Sequence, residues 1–280
     1  MLHHLGPDVV AFSTERHIDD GFDQPYAGFN ASFYCGDDAE HTATCFDRLC
    51  KFLGTVPARV VMPHQVHGTR IAEVTEDTLC HPKLQLEGVD GLITHLPETC
   101  LCISTADCVP LLLYDKRTQA VAAVHAGWRG TVNRIGVKAL AAMHDAYGTV
   151  PADVSAIIGP SIGPEAFEVG DEVYDLFQQA GFPMAQIAFR QPREREDHPA
   201  ARWHINLWEA NTWQLTCAGI PAVGITTTGI CTFSHYQRFF SARRLGINSG
   251  RMYTGIALGV CDARPFRKLG SGKAFTIICP

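Results

Sequence analysis

One cysteine and two histidines are the residues of this chain best placed to do chemistry. Cys108 heads the apolar run 109–114, and His125 ends the apolar run 120–125, within TADCVPLLLYDKRTQAVAAVHAGWRGT. His67 lies upstream in HQVHGT. One thiolate and two imidazoles supply three metal ligands and leave a fourth position open, the pattern of a catalytic rather than a structural zinc site. The same donors suit Cu²⁺, which His/Cys sets generally bind more tightly than Zn²⁺. A metal-free reading makes Cys108 a nucleophile, His125 its base and Asp107 the group that orients the base. His67 favours the metal, because a triad does not need it. Asp107 could instead act as a general acid/base or hydrogen-bond a ligand histidine. His64 reads as a surface histidine or a supporting one rather than a ligand. Gly68 permits a sharp turn that would point His67 into a cleft.

Two further segments suit a site. Gly159-Pro160-Ser161-Ile162-Gly163-Pro164 is a rigid loop whose backbone amides could line a pocket. FFSARR at 239–244, followed by Gly250-Arg251, places three arginines around a turn. Arginine forks suit phosphate or carboxylate, which makes Arg243 and Arg244, with Arg129 of the GWRG turn, candidates for substrate binding. Two motifs fail. Gly270-Ser271-Gly272-Lys273-Ala274 has neither the first glycine nor the final Ser/Thr of a P-loop. No G-x-G-x-x-G follows a predicted strand, so a dinucleotide site is unsupported.

These residues need elements to position them. Short apolar runs bounded by turn residues predict strands at 9–12, 59–62, 70–74, 91–94 and 100–104. The runs 109–114 and 120–125 are more continuously apolar and read as central strands. Asp115-Lys116-Arg117-Thr118 suits a tight hairpin between them, which would bring Cys108 and His125 to one sheet edge. A strand at 154–158 precedes the Gly/Pro loop, and late strands follow at 223–227 and 252–258. Helical spacing predicts helices at 42–53, 131–147, 171–180 and 204–217. The polar stretch 190–201 reads as an exposed loop. Strands outnumber helices and several are joined by hairpins, so the fold class expected is α+β with mixed β-sheets, in a single domain spanning residues 1–280.

Composition narrows the function. The chain has 280 residues, net charge −6, 46% hydrophobic and 19% charged residues. Its mild acidity argues against nonspecific nucleic-acid binding, which needs a basic footprint, but leaves room for a local basic site. No apolar run approaches the ~20 residues needed to cross a bilayer, and the N-terminus lacks an export signal. Eleven scattered cysteines then read as reduced thiols in a cytoplasm. No oligomerisation motif is evident, so a monomer is expected.

Taken together, QVHGT, VDGLIT, STADCVPLLLYD, AVAAVHAGWRGTV, IGPSIGPEAFEVGDEV and CT…FFSARR…GR resemble the laccase-domain proteins. That family is described both as multicopper polyphenol oxidases and as purine nucleoside phosphorylases, and includes peptidoglycan editing factor-like members. The resemblance implies zinc ligands at His67, Cys108 and His125, and mixed sheets sandwiched between helices. It implies phosphorolysis of purine nucleosides, methylthioadenosine among them, and deamination of adenosine. Two departures stand out: Ala242 replaces the family's usual tyrosine, and Asn206 stands where an aspartate is common.

Three enzymatic readings follow. The first is a zinc enzyme acting on purine nucleosides, with phosphate as co-substrate. The second is a copper-dependent oxidase of phenols, although none of the 13 histidines forms the H-x-H pairs of ordinary multicopper laccases. The third is a cysteine hydrolase using Cys108, His125 and Asp107 on amide or peptidoglycan-like substrates. A non-catalytic binding module has no need of an open metal position.

Overall fold

The computed structural model describes residues 1–17, 21, 23–81, 86–191 and 202–259. Strands β1 (Leu2–His3), β2 (Val9–Ser13), β3 (Val60–Val61), β4 (Ile71–Glu73), β5 (Gly91–Thr94) and β6 (Cys100–Thr105) lie in the first part of the chain. The hairpin strands β7 (Val109–Asp115) and β8 (Ala120–Ala126) come next, then β9 (Val154–Ile158) and β10 (Glu168–Val169). Last are β11 (Ala188–Gln191), β12 (Arg202–Ile205), β13 (Ile225–Thr227) and β14 (Met252–Leu258). They form a six-stranded sheet β13-β9-β7-β8-β5-β4, a five-stranded sheet β1-β2-β14-β6-β3 and a three-stranded sheet β10-β12-β11. Both large sheets are mixed: β3–β6, β4–β5 and β9–β13 pair in parallel, and the other contacts are antiparallel.

The two large sheets pack face to face, and the alternation of side chains along each strand sorts the core. From β7, Leu112 and Tyr114 meet Leu101, Ile103 and Ile256 between the sheets. Leu111 and Leu113 point the other way, into a core closed by helices α4 (Ile135–Tyr147) and α7 (Leu207–Cys217). On the outer face of the five-stranded sheet, Phe12, Cys100 and Tyr253 pack on Cys45, Leu49 and Leu53 of α1 (Ala39–Leu53). The order is helix, sheet, sheet, helix, the α+β architecture expected. Strands β7 and β8, buried on both faces, have no room for polar alternation, which accounts for their unbroken apolar runs.

Local signals set the helix ends. Asp38 caps α1 by accepting N–H bonds from Glu40 and His41 at 3.0 and 2.9 Å. The remaining helices are α2 (Glu76–Cys80), α3 (Trp128–Val132), α5 (Asp171–Gln179), α6 (Met184–Ile187) and α8 (Ala242–Leu245).

Three expectations are corrected. The helix expected over 131–147 is broken, because α3 ends at Val132 with Asn133 as its C-cap, and Arg134 is left-handed at φ 62°. The Arg134 guanidinium sits over the rings of Phe182 and Trp213, 3.9 and 4.8 Å from their centroids, which ties the break to the core. The helix expected from residue 204 starts at Leu207: Asn206 is its cap, bonded to Glu209 N at 3.1 Å, and His204 and Ile205 belong to β12. Arg190 and Gln191 lie in β11 rather than in a loop, while residues 192–201 and the rejected motif Gly270–Ala274 lie outside the described residues.

Candidate metal and substrate site

The β7–β8 hairpin pairs Val109 with Ala126 and Pro110 with His125. Cys108, one residue before β7, therefore stands beside His125 at one end of the six-stranded sheet. His67 arrives from the segment between β3 and β4. Its backbone, not that of Gly68, makes the turn, with φ 61° at His67. The ligand atoms of His67, Cys108 and His125 all lie within 4.8 Å of one another, and the two imidazole rings meet edge to face with centroids 4.8 Å apart.

A fourth residue holds this arrangement. The Asp90 carboxylate is fully buried and accepts from four donors. One oxygen takes His125 Nδ1–H at 2.8 Å and His67 N–H at 2.9 Å. The other takes Gly68 N–H at 2.7 Å and Val66 N–H at 3.3 Å. Burial works against ionisation of Asp90, but these donors, His125 foremost, hold its pKa below the usual value. With Nδ1 engaged, Nε2 is the nitrogen of His125 left to ligate.

The electrostatics suit a thiolate. Burial pushes the Cys108 thiol up, yet His125 and His67 draw its pKa down to about 6. Burial pushes His125 down, yet the Cys108 thiolate and Asp90 raise its pKa to about 9. Gly127 borders the cluster closely: a Cβ there would lie 3.1 Å from Cys108 Sγ and 3.3 Å from His67 Cδ2. One sulfur and two nitrogens converging beside a residue without a side chain fit a small, borderline-soft cation.

The cluster opens into a cavity of about 580 Å³. Trp128, Ile162, Phe167 and Leu207 give its lining apolar surface, and Ser32, Gln65, Thr105 and Arg251 give it polar groups.

The chain's relationships agree with this geometry. A family model described as multi-copper polyphenol oxidoreductase laccase matches residues 10–259. The chain belongs to this laccase family. Among its relatives is a protein of Bacteroides thetaiotaomicron named purine nucleoside phosphorylase, 45% identical over 237 residues that cover 83% of this chain and 86% of that one. A second, from an unknown prokaryotic organism, is named adenosine deaminase RL5; it is 41% identical over 252 residues, covering 89% of this chain and 93% of the other. The crystal structure of the Bacillus licheniformis hypothetical protein YfiH superposes with a TM-score of 0.80 at 29% identity, covering 89% of this chain and 92% of that one.

Within this laccase-family site the other expected residues separate. Asp107 lines the cavity but does not orient His125, as the Cys-His-Asp reading required. Its carboxylate accepts from Thr232 Oγ1 and from Arg243 N–H, both at 2.6 Å, and its backbone is left-handed at φ 84°. Asp90 does the orienting instead. Arg243 reaches the cavity wall, whereas Arg129 and Arg244 are not among its lining residues. Arg129 lies over Trp128 at 4.3 Å, and Arg244 lies over Tyr236 at 4.6 Å. The Gly/Pro loop offers no amides to a ligand: Ser161, Ile162 and Gly163 donate to Ile230 O, Asp107 O and Cys231 Sγ. His64 lines the cavity, bonded through Nδ1 to Glu87 at 2.6 Å and stacked on Tyr34. Ala242 also lines the cavity, so the laccase family's tyrosine would project from this wall. Asn206, the other departure, caps α7.

Proposed function

We propose that this chain is a zinc-dependent purine nucleoside phosphorylase that also deaminates adenosine and cleaves methylthioadenosine. The observation that carries the reading is the His67–Cys108–His125 set, oriented by Asp90 and opening into a cavity with apolar and cationic walls. Zinc held there would supply Lewis acidity and ease deprotonation of a bound water. The names of two relatives, a purine nucleoside phosphorylase and an adenosine deaminase, support the same chemistry.

The chain's own residues divide the remaining work. Trp128, Phe167 and Leu207 offer apolar surface to a purine base and exclude water. Asp107, held by Thr232 and the Arg243 amide, is placed to move a proton at the cavity wall. Asp90 fixes the His125 ring so that its free nitrogen faces the cluster. In phosphorolysis, a phosphate oxygen bonds ribose C1′ as the bond to the base nitrogen breaks, and the base leaves with the electron pair. In deamination, water adds at the purine carbon bearing the amine and ammonia leaves. The test is conversion of inosine and phosphate to hypoxanthine, lost in Cys108→Ala.

Two alternatives retain specific support. The family description names copper and phenols, yet among the described residues one group of three ligands is found, too few for several coppers. The Cys108–His125–Asp90 array would also serve a cysteine hydrolase acting on amides. Such an enzyme would keep its activity in a chelator, where the zinc enzyme would lose it. No described helix is long and apolar enough to cross a membrane. The partners proposed are small molecules, nucleoside and phosphate, acting on a cytoplasmic monomer.

A further inference from the structure

We propose that Arg251, with the Thr105 hydroxyl, forms the subsite that holds inorganic phosphate. This rests on the phosphorylase reading and assigns its co-substrate to residues outside the metal cluster.

Arg251 lines the cavity with its charge uncompensated. Its guanidinium donates to the carbonyls of Ile247, Ser249 and Gly250 and to the Ser249 hydroxyl, and to no carboxylate among the described residues. Arg238 shows the contrast, forked to Glu15 at 2.6 and 2.8 Å. Carbonyls fix a guanidinium in place without neutralising it, so an anion that arrives meets a preorganised cation. In a chain of net charge −6, a cation without a carboxylate partner in a concave site also focuses the local field.

The surrounding residues fix Arg251 and bring an unpaired hydroxyl to the same cavity. The side-chain oxygen of Asn30, itself fully buried, accepts from Arg251 N–H at 3.0 Å and from Ser32 N–H at 3.3 Å, tying two cavity walls together. Thr105 lies opposite Met252 across β6 and β14, one residue from Arg251, and it lines the cavity. Its Oγ1 is buried and has no hydrogen-bond partner. A buried hydroxyl left unpaired costs roughly 1–3 kcal/mol, a cost that an oxyanion accepting from it would remove. Thr105 lines the same cavity as Cys108, His67 and His125, so phosphate held here shares that cavity with the metal cluster. Arg243 is the weaker candidate because it is exposed, whereas Arg251 is half-buried.

A phosphate group could also arrive on a nucleotide, and the test separates the two sources. Zinc-loaded wild-type, Arg251→Gln, Arg251→Lys and Thr105→Val proteins are titrated with inorganic phosphate and, separately, with a nucleoside 5′-monophosphate, followed by phosphorus NMR. The KM values for phosphate and for inosine are measured in parallel. Loss of a charge-assisted fork should weaken phosphate binding about tenfold or more in Arg251→Gln. The KM for phosphate should rise with it while the KM for inosine holds, Arg251→Lys should recover part of the loss, and Thr105→Val should weaken phosphate severalfold. If Arg251→Gln does not fold, Arg251→Lys and Thr105→Val carry the test. Unchanged phosphate affinity in the variants overturns the assignment, as does a rise confined to the KM for inosine, or binding of the nucleotide but not of free phosphate. Should wild type bind phosphate through Arg251 yet release no hypoxanthine, the phosphorylase reading fails while the subsite stands.

Discussion

Asp90 donates no ligand atom to the cluster, yet its carboxylate reaches His125 Nδ1 at 2.8 Å and so sets which nitrogen of that ring can bind metal. The same carboxylate accepts the amides of three consecutive residues, Val66, His67 and Gly68. One buried side chain thereby positions two of the three ligands. Asp90→Asn should lower zinc affinity about 10–100-fold, the usual effect of removing a carboxylate behind a ligand histidine. Competition against a chromogenic chelator reads this directly. An affinity equal to wild type would show that Asp90 does not govern the site.

Gly127 is constrained at its position by contact rather than by backbone conformation. A methyl group there would crowd Cys108 Sγ and the His67 ring. Gly127→Ala should keep the circular dichroism of wild type while its zinc content falls below one ion per chain. Full zinc occupancy in this variant would mean that the cluster has slack the structure does not show.

Reactivity of Cys108 should follow its neighbours. His125 and His67 together hold its thiol at about 6 against the burial that opposes them. In metal-free protein the reactive thiolate therefore forms as pH rises through about 6, rather than near the ~8.5 of a free cysteine. Alkylation rates at Cys108, followed by mass spectrometry from pH 5 to 9, should be half-maximal near the lower value, and His125→Asn should move the midpoint upward. Zinc should suppress the reaction throughout. A midpoint near 8.5 in the metal-free wild type would remove the imidazole–thiolate coupling from the account.

Stability should depend on the packing between the two large sheets. Leu112 is fully buried there, against residues of the opposite sheet. Leu112→Ala should cost about 2–5 kcal/mol in urea unfolding, with zinc content unchanged at low temperature. A loss under about 1 kcal/mol would mean that the site collapses around the deletion more easily than close packing allows.

Parts of this site are readable from the chain because they are local. The continuous apolar runs of β7 and β8, joined by a four-residue turn, place Cys108 beside His125. Asp90 is not readable in that way. Its role depends on β5 pairing with β8, Gly91 against Val124, a contact across more than thirty residues that no periodicity encodes. For Asp107 the difference lies in which group it touches. Adjacency to Cys108 suggested a shared role, but a left-handed backbone turns its carboxylate toward Thr232 and Arg243. Arg129, Arg243 and Arg244 carried equal weight as sequence candidates, and side-chain direction alone separated them, with Arg243 at the cavity wall. The early start expected for the helix at 204 arose because β12 runs into the Asn206 cap without a glycine or proline to mark the change.

The most direct test of the central claim is a single preparation, purified without added metal, analysed for metal and then assayed with inosine and phosphate beside its Cys108→Ala variant. The account predicts close to one zinc per chain, release of hypoxanthine, and loss of both in the variant. Several coppers per chain with phenol oxidation and no nucleoside turnover, or hypoxanthine release undiminished in Cys108→Ala, would contradict it.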